Sequence, residues 1–249
     1  MAHRPRTPAH LGKIDPWVTL VREVRAGTDI TYLCFWGHRP RRDGRMGASC
    51  PSQWWPAPFT VDAVTCPTAE HRTTAGTARP FGDAGTERRM PAARHPGQAT
   101  ARGRLVRRSD EETWARECRA SAVEGGVHEL AAHPELRGFA PGTGDTVPLE
   151  AGPLDRVWGV GPAADDAAAT DPERWKGLNL LGFALMEARE RLRAGDVASG
   201  ARRGPGERRP GRQVRGRAAR WVRPAGCRRT GGRRGCRRWP RRHPRRSET

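Results

Sequence analysis

Lysine is nearly missing from this chain. Of 46 basic residues, only Lys13 and Lys176 are lysines, so the positive charge is carried by arginine. Tyrosine is reduced to the single Tyr32. Long apolar runs are also lacking. The longest, Leu178 to Met186, is interrupted by Asn179 and Gly182, short of the roughly 20 residues that a membrane-spanning helix needs. A membrane partner is therefore not expected. The first residues, MAHRPRTPAHLGKID, hold no apolar stretch of the kind a secretory leader carries. Cys34, Cys50, Cys66, Cys118, Cys227 and Cys236 form no CxxC pair and no metal-ligand spacing. Free thiols, a reducing cytoplasmic compartment and no bound metal are the expectation. P-loop and nucleophile-elbow motifs are absent. The two glycines at Gly159 and Gly161 lack the third glycine of a dinucleotide fingerprint, so no cofactor is implied.

What the chain has in excess is charge. The formal net charge is +19 over 249 residues, which on its own suggests a nucleic-acid binder. The excess is local. Residues 195–249 hold 19 arginines against Asp196, Glu207 and Glu248, a balance of +16, which leaves +3 for residues 1–194. The last 55 residues contain no Leu, Ile, Met, Phe or Tyr, and 15 of them are Gly or Pro. Such a segment buries too little apolar surface to offset its ordering entropy, so it is expected to be a disordered basic tail. Nucleic acid is a partner open to that tail, through arginine–phosphate contacts and stacking on Trp221 and Trp239. An out-of-frame reading of GC-rich DNA yields the same composition. The remaining length suits one domain.

The patterning divides the rest into a polar lead-in over 1–29, with one short helix at Pro16–Arg25, and a body over 30–194. Within the body, Ile30–Trp36 reads as a strand from its β-branched and aromatic density, and Phe59–Val64 as a second. Pro67 suits the first position of a helix running through Arg79. Weak amphipathic helices fall near 85–93 and 97–107. Asp110–Val123 places Trp114, Cys118 and Ala122 on one face. A turn lies at 142–145 and a short extended piece at Val147–Glu150. The clearest helix carries Leu178, Leu181, Leu185, Ala188 and Leu192 as one stripe, with Asn179 as its cap and Gly195 just past its end. The fold class is mainly α with a few short strands.

Six spaced segments are rich in tryptophan, histidine and carboxylates: FWGH at 35–38, SQWWPAPF at 52–59, TAEH at 68–71, TGD at 143–145, LDRVWGVG at 154–161 and RWKGLNLLGFALMEAR at 174–189. In this order they resemble the NADAR (YbiA-like) family, from about Tyr32 to Leu192. The resemblance implies a compact YbiA-like helical domain that hydrolyses N-glycosidic bonds. The substrates it implies are small molecules: phosphoribosylamino-pyrimidine intermediates of riboflavin biosynthesis, or ADP-ribosyl-guanine.

Cleaving a C1′–N bond builds positive charge on the sugar carbon. A carboxylate aimed there stabilises that charge or activates water, and a second group protonates the leaving nitrogen. The resemblance places such carboxylates at Glu70 and Asp155. Trp54 and Trp55 are candidates to stack on a flat base, and Arg104, Arg156 or Arg189 to hold a phosphate bidentately. Trp158 and Asn179 are further candidates for substrate contact. Each has a plainer reading: Glu70 as a helix-dipole partner, Asp155 as a turn residue, Trp158 and Trp175 as core aromatics, and His71 as a hydrogen-bonded structural histidine.

The sequence also departs from the family. After Glu70-His71 the family has an aromatic residue and, seven residues past the glutamate, a lysine. Here these are Arg72 and Thr77, and threonine has no amine with which to form an imine. Gly126, Glu129 and Leu130 replace Asn, Lys and Phe, and Gly152 replaces Ser in the run that begins Glu150-Ala151. Thr73, Thr74 and Thr77 each cost ~0.5 kcal/mol in helix propensity. These departures make reduced turnover the expectation, with a catalytically silent nucleotide-sugar binder as the alternative.

Overall fold

The computed structural model describes residues 15–39, 46–133, 135–136 and 146–195. The expectations for the turn at 142–145, for the tail beyond 195 with Trp221 and Trp239, and for the first fourteen residues of the lead-in lie outside the described residues.

Among the described residues helices outnumber strands. Six α-helices are bounded: α1 (Pro16–Arg25), α2 (Ala69–Ala78), α3 (Ala84–Arg89), α4 (Pro96–Gly103), α5 (Glu111–Ala132) and α6 (Leu180–Arg193). Strand β1 (Tyr32–Phe35) pairs in parallel with β4 (Val147–Glu150), and β2 (Phe59–Val61) pairs antiparallel with β3 (Val64–Cys66). The expected second strand ends early because Asp62 and Ala63 both take positive φ, at 50° and 61°, and turn the chain into a hairpin. Gly or Asn usually fills such a turn, so Asp-Ala left no signal. Helix α2 starts two residues later than expected, since Pro67 follows β3 directly and Thr68 is the cap residue. Helix α5 runs nine residues beyond the expected end at Val123.

Two apolar cores organise the body. One joins Trp55 and Ala57 to Val123, Val127 and Leu130 of α5 and to Ala184, Ala188 and Leu192 of α6. The other surrounds the β1–β4 pair, with Val147, Leu149, Val160, Trp175 and Phe183. Leu20 of α1 joins this second core, and Trp17 Nε1 donates to the Pro172 carbonyl at 2.9 Å. Helices α2 and α5 cross closely because small residues meet there. A Cβ on Gly76 would stand 2.8 Å from Ser121 Oγ, and one on Gly125 3.0 Å from Thr73 Oγ1.

Of the expected apolar stripe, Leu181, Ala188 and Leu192 are buried on α6, Leu185 is half-buried, and Leu178 lies before the helix begins. Gly195 is left-handed at φ 76°, and its N–H donates to the Leu192 carbonyl at 3.2 Å, closing the helix. The start of α6 differs. Asn179 occupies the cap position at φ 53°, but its side chain caps nothing. The N–H groups of residues 176–181 instead donate to carbonyls of the 156–160 loop, among them Leu178 to Arg156, Asn179 to Gly159 and Leu181 to Trp158. These bonds satisfy donors that a helix start otherwise leaves open. Gly159 and Gly177 permit the approach, because a Cβ on either would collide with facing carbonyl oxygens.

Cys50, Cys66 and Cys118 are free, as expected, and buried. Cys34 is disulfide-bonded, which corrects the expectation of free thiols throughout. Among the described residues no helix is long and apolar enough to cross a membrane.

Candidate active site

Helix α2 carries Glu70 one residue past its start. The hydroxyl of Thr68 does not cap the helix; it bonds His71 Nδ1 at 2.9 Å. Two other groups take over the first N–H donors. Glu129 Oε1 accepts from Ala69 at 3.2 Å, and the Gln53 carbonyl accepts from Glu70 at 2.9 Å. The second bond ties α2 to the SQWW loop and so sets Trp54 beside Glu70.

The Glu70 carboxylate is held by donors. Thr100 Oγ1 of α4 lies 2.7 Å from Glu70 Oε1. Thr74 Oγ1 lies 3.2 Å from the same atom and 2.7 Å from the Glu70 carbonyl oxygen, one hydroxyl proton serving both. The Trp54 side chain is a third donor. Burial raises the Glu70 pKa above its ordinary value. The hydrogen bonds from Thr100 and Thr74 oppose that rise, the charge of Asp155 adds to it, and Trp54 opposes it in turn. A threonine of the departed family motif is thus a ligand of the carboxylate, besides being a weak helix former.

Asp155 stands in the loop that is pinned to α6. Its Oδ1 accepts N–H bonds from Val157 at 2.9 Å and Trp158 at 2.8 Å, a turn-forming pattern. Its charge reaches both Glu70 and a third carboxyl, Glu150. Glu150 ends β4 opposite Phe35. Its peptide N–H donates to Asn179 Oδ1 at 3.4 Å, and its carbonyl accepts from Val160 at 2.9 Å. Its Oε2 is buried and has no hydrogen-bond partner. Burial, and then the charges of Asp155 and Glu70, push its pKa up to about 7.

Aromatic rings border this cluster. Trp54 lies 5.4 Å from His38, centroid to centroid, and 5.4 Å from His95 in an edge contact, with the two histidines 6.4 Å apart. His95 also caps α4, its Nδ1 accepting from Gly97 N–H at 3.1 Å. Burial lowers the His38 pKa, and the neighbouring charges of His95 and Arg39 lower it further.

Glu70, Asp155 and Trp54 are therefore brought together, and the other sequence candidates sit elsewhere. Trp55, next in the chain, turns inward and is 6% exposed within the α5–α6 core. Trp158 packs on the same core and against the edge of Trp114 at 6.3 Å. Asn179 is fully buried, its Nδ2 donating to the Pro148 carbonyl at 3.0 Å and its Oδ1 accepting from Glu150, so it positions β4. Arg104 is exposed just past α4. Arg156 is exposed, and Arg189 is buried with Nη1 donating to the Thr146 carbonyl at 2.9 Å.

His71 is structural. Its Nε2 must donate to the Ala93 carbonyl at 3.1 Å, so Nδ1 accepts from Thr68. Thr77 is buried, with its hydroxyl donating to the Thr74 carbonyl at 2.8 Å. Arg72 is buried and paired with Glu124. Among the described residues no group of three or more His, Cys, Asp or Glu side chains is disposed to hold a metal ion.

Sequence reasoning missed Glu150, Thr100, His38 and His95 at this site. For Glu150 a signal existed: an acid at the end of an apolar extended run is costly to bury unless it serves some purpose.

Comparison with known proteins gives the family and the fold. The NADAR domain family model matches residues 34–193. N-glycosidase R617 of Acanthamoeba polyphaga mimivirus is 29% identical over 151 residues, covering 59% of this chain and 89% of that protein. The NMR structure of the E. coli protein YbiA matches with a TM-score of 0.51 at 23% identity, over 68% of this chain and 90% of that one, which is a likeness of fold.

Proposed function

The chain belongs to the NADAR domain family, and on that premise we propose that it is an N-glycosidase acting on a C1′–N bond of a phosphoribosyl or ADP-ribosyl substrate. The catalytic unit is residues 30–194, with α1 packed on it. The observation that carries the reading is the convergence of the Glu70 and Asp155 carboxylates beside Trp54. As the C1′–N bond lengthens, positive charge grows on the sugar carbon. Glu70, held by three donors, faces that charge or takes a proton from the attacking water. Asp155 adds negative field, and Trp54 borders the base. Substrate choice lies between phosphoribosylamino-pyrimidines and ADP-ribosyl-guanine.

The test is direct. The full chain is incubated with a phosphoribosylamino-pyrimidine and with DNA carrying ADP-ribosylated guanine, and the released base and sugar are quantified. Release from either supports the proposal; release from neither overturns it. One observation favours a second reading, that of a silent nucleotide-sugar binder. Thr77 stands where an amine is expected, and its hydroxyl is engaged with the helix backbone. Tight binding of ADP-ribose without hydrolysis is what that reading expects.

A further inference from the structure

Resting on the glycosidase reading, we infer that Glu150 is the group that delivers a proton to the departing nitrogen, leaving Glu70 to act at the sugar carbon. Three carboxyls meet at one site, and their hydrogen-bond surroundings differ in kind. Glu70 receives donors from Thr100, Thr74 and Trp54, all of which favour its charged form. Asp155 Oδ1 is occupied by two backbone N–H groups. No donor reaches Glu150 Oε2, which is buried, and the charges of Asp155 and Glu70 act on its carboxyl. A carboxyl so placed is stable with its proton on, and carries into the site a hydrogen that neither neighbour offers. Paired acids with opposed environments are the general arrangement by which one group donates while another stays ionised.

The scaffold fixes the backbone of Glu150. Its N–H is fixed by Asn179 and its carbonyl by Val160. Gly159 is packed so closely that a Cβ there would stand 2.6 Å from the Glu150 carbonyl oxygen and 2.9 Å from that of Asp155. The charges that bear on Glu150 are Asp155 from the loop and Glu70 from α2. Strand β1 presents Tyr32 and Cys34 alongside β4, toward its start in the register. From α6, Arg189 is engaged before the start of β4, on Thr146.

The step balances. The C1′–N bond breaks and its electron pair goes to nitrogen, which takes the proton from Glu150. Water adds its oxygen to C1′ and gives its proton to Glu70. Proton return from Glu70 to Glu150 through water restores both groups.

The experiment measures kcat/KM of the full chain between pH 5 and 9, on the N-linked substrate that wild type cleaves and on 4-nitrophenyl riboside 5-phosphate, whose leaving group needs no proton. Glu150→Gln is expected to lose about 100–10,000-fold on the N-linked substrate, to lose the basic limb of the profile, and to keep more of its rate on the aryl substrate. Glu150→Asp, which retains an acid, is expected to keep the basic limb at reduced rate. A Glu150→Gln protein with the wild-type rate and limb overturns the inference while leaving the glycosidase reading intact. Equal losses on both substrates, or a Glu150→Asp profile without the limb, overturn it in the same way. Wild type inert toward every N-linked substrate overturns the glycosidase reading, and this inference with it.

Discussion

Thr100 Oγ1 donates to Glu70 Oε1 at 2.7 Å, joining α4 to α2 at a carboxylate of the candidate site. This bond is among those that hold the Glu70 pKa down against burial. Thr100→Val removes the donor and keeps the shape. With the opposing hydrogen bond gone, the Glu70 pKa rises and the carboxyl ionises only at higher pH. The acid limb of the kcat/KM profile is expected to move to higher pH. At the acid end the rate then falls roughly 10-fold for every pH unit that the limb moves. A profile superimposable on wild type contradicts the role given to Thr100.

Asn179 is a strut between α6 and β4. Replacing it with Leu leaves the Pro148 carbonyl and the Glu150 N–H buried without their partner. The expected cost is about 1–3 kcal/mol for each unsatisfied group, read as a lower denaturant midpoint at unchanged slope. A midpoint equal to that of wild type means the strut carries no stability.

Gly177 faces the carbonyl oxygens of Gly159 and Arg156. Gly177→Ala forces the 156–160 loop off the start of α6, and Asp155 with it. Overpacking of this kind costs about 1–3 kcal/mol or more. Activity is expected to fall further than stability alone accounts for. Gly195→Ala, whose Cβ meets nothing, serves as the comparison: its φ of 76° gives strain but leaves the site in place.

Glu129 is buried with one bond, from the Ala69 N–H, and burial raises its pKa well above the ordinary 4.5 while that bond opposes the rise. Between 4.5 and the raised value the folded state holds a proton that the unfolded state has released. Stability therefore falls as pH rises through that window. Glu129→Gln keeps an acceptor for Ala69 and cannot ionise. Its melting temperature is expected to match wild type near pH 4.5 and to exceed it at about pH 8. Equal differences at both pH values contradict this.

Much of the helical frame was legible from spacing. The α6 stripe, the boundaries of α1 and the β1 run follow from periodicity and β-branched density, which are local properties. What was hidden depends on contacts distant in sequence. The parallel pairing of β1 with β4 sets Phe35 opposite Glu150, and without it Glu150 reads as the end of a strand. Trp54 and Trp55 are neighbours in one loop, and composition gives no sign of which turns toward Glu70 and which enters the core. Asn179 has the residue type of a cap, yet loop carbonyls meet the donors of α6 and release its side chain to bind β4. The threonines of α2 read as a weakness of the helix, and Thr74 proves to be a donor to Glu70. The family segments marked Glu70 and Asp155 by resemblance, and the third carboxyl was found only when the chain was folded around them.

The proposed function rests on carboxylate-driven cleavage at Glu70. The measurement is single-turnover release of base from the N-linked substrate at saturating protein, for wild type and Glu70→Gln side by side. Wild type is expected to release base and free sugar, and Glu70→Gln to do so about 100–10,000-fold more slowly, with an unchanged melting profile. Release by Glu70→Gln at the wild-type rate contradicts a carboxylate role for Glu70.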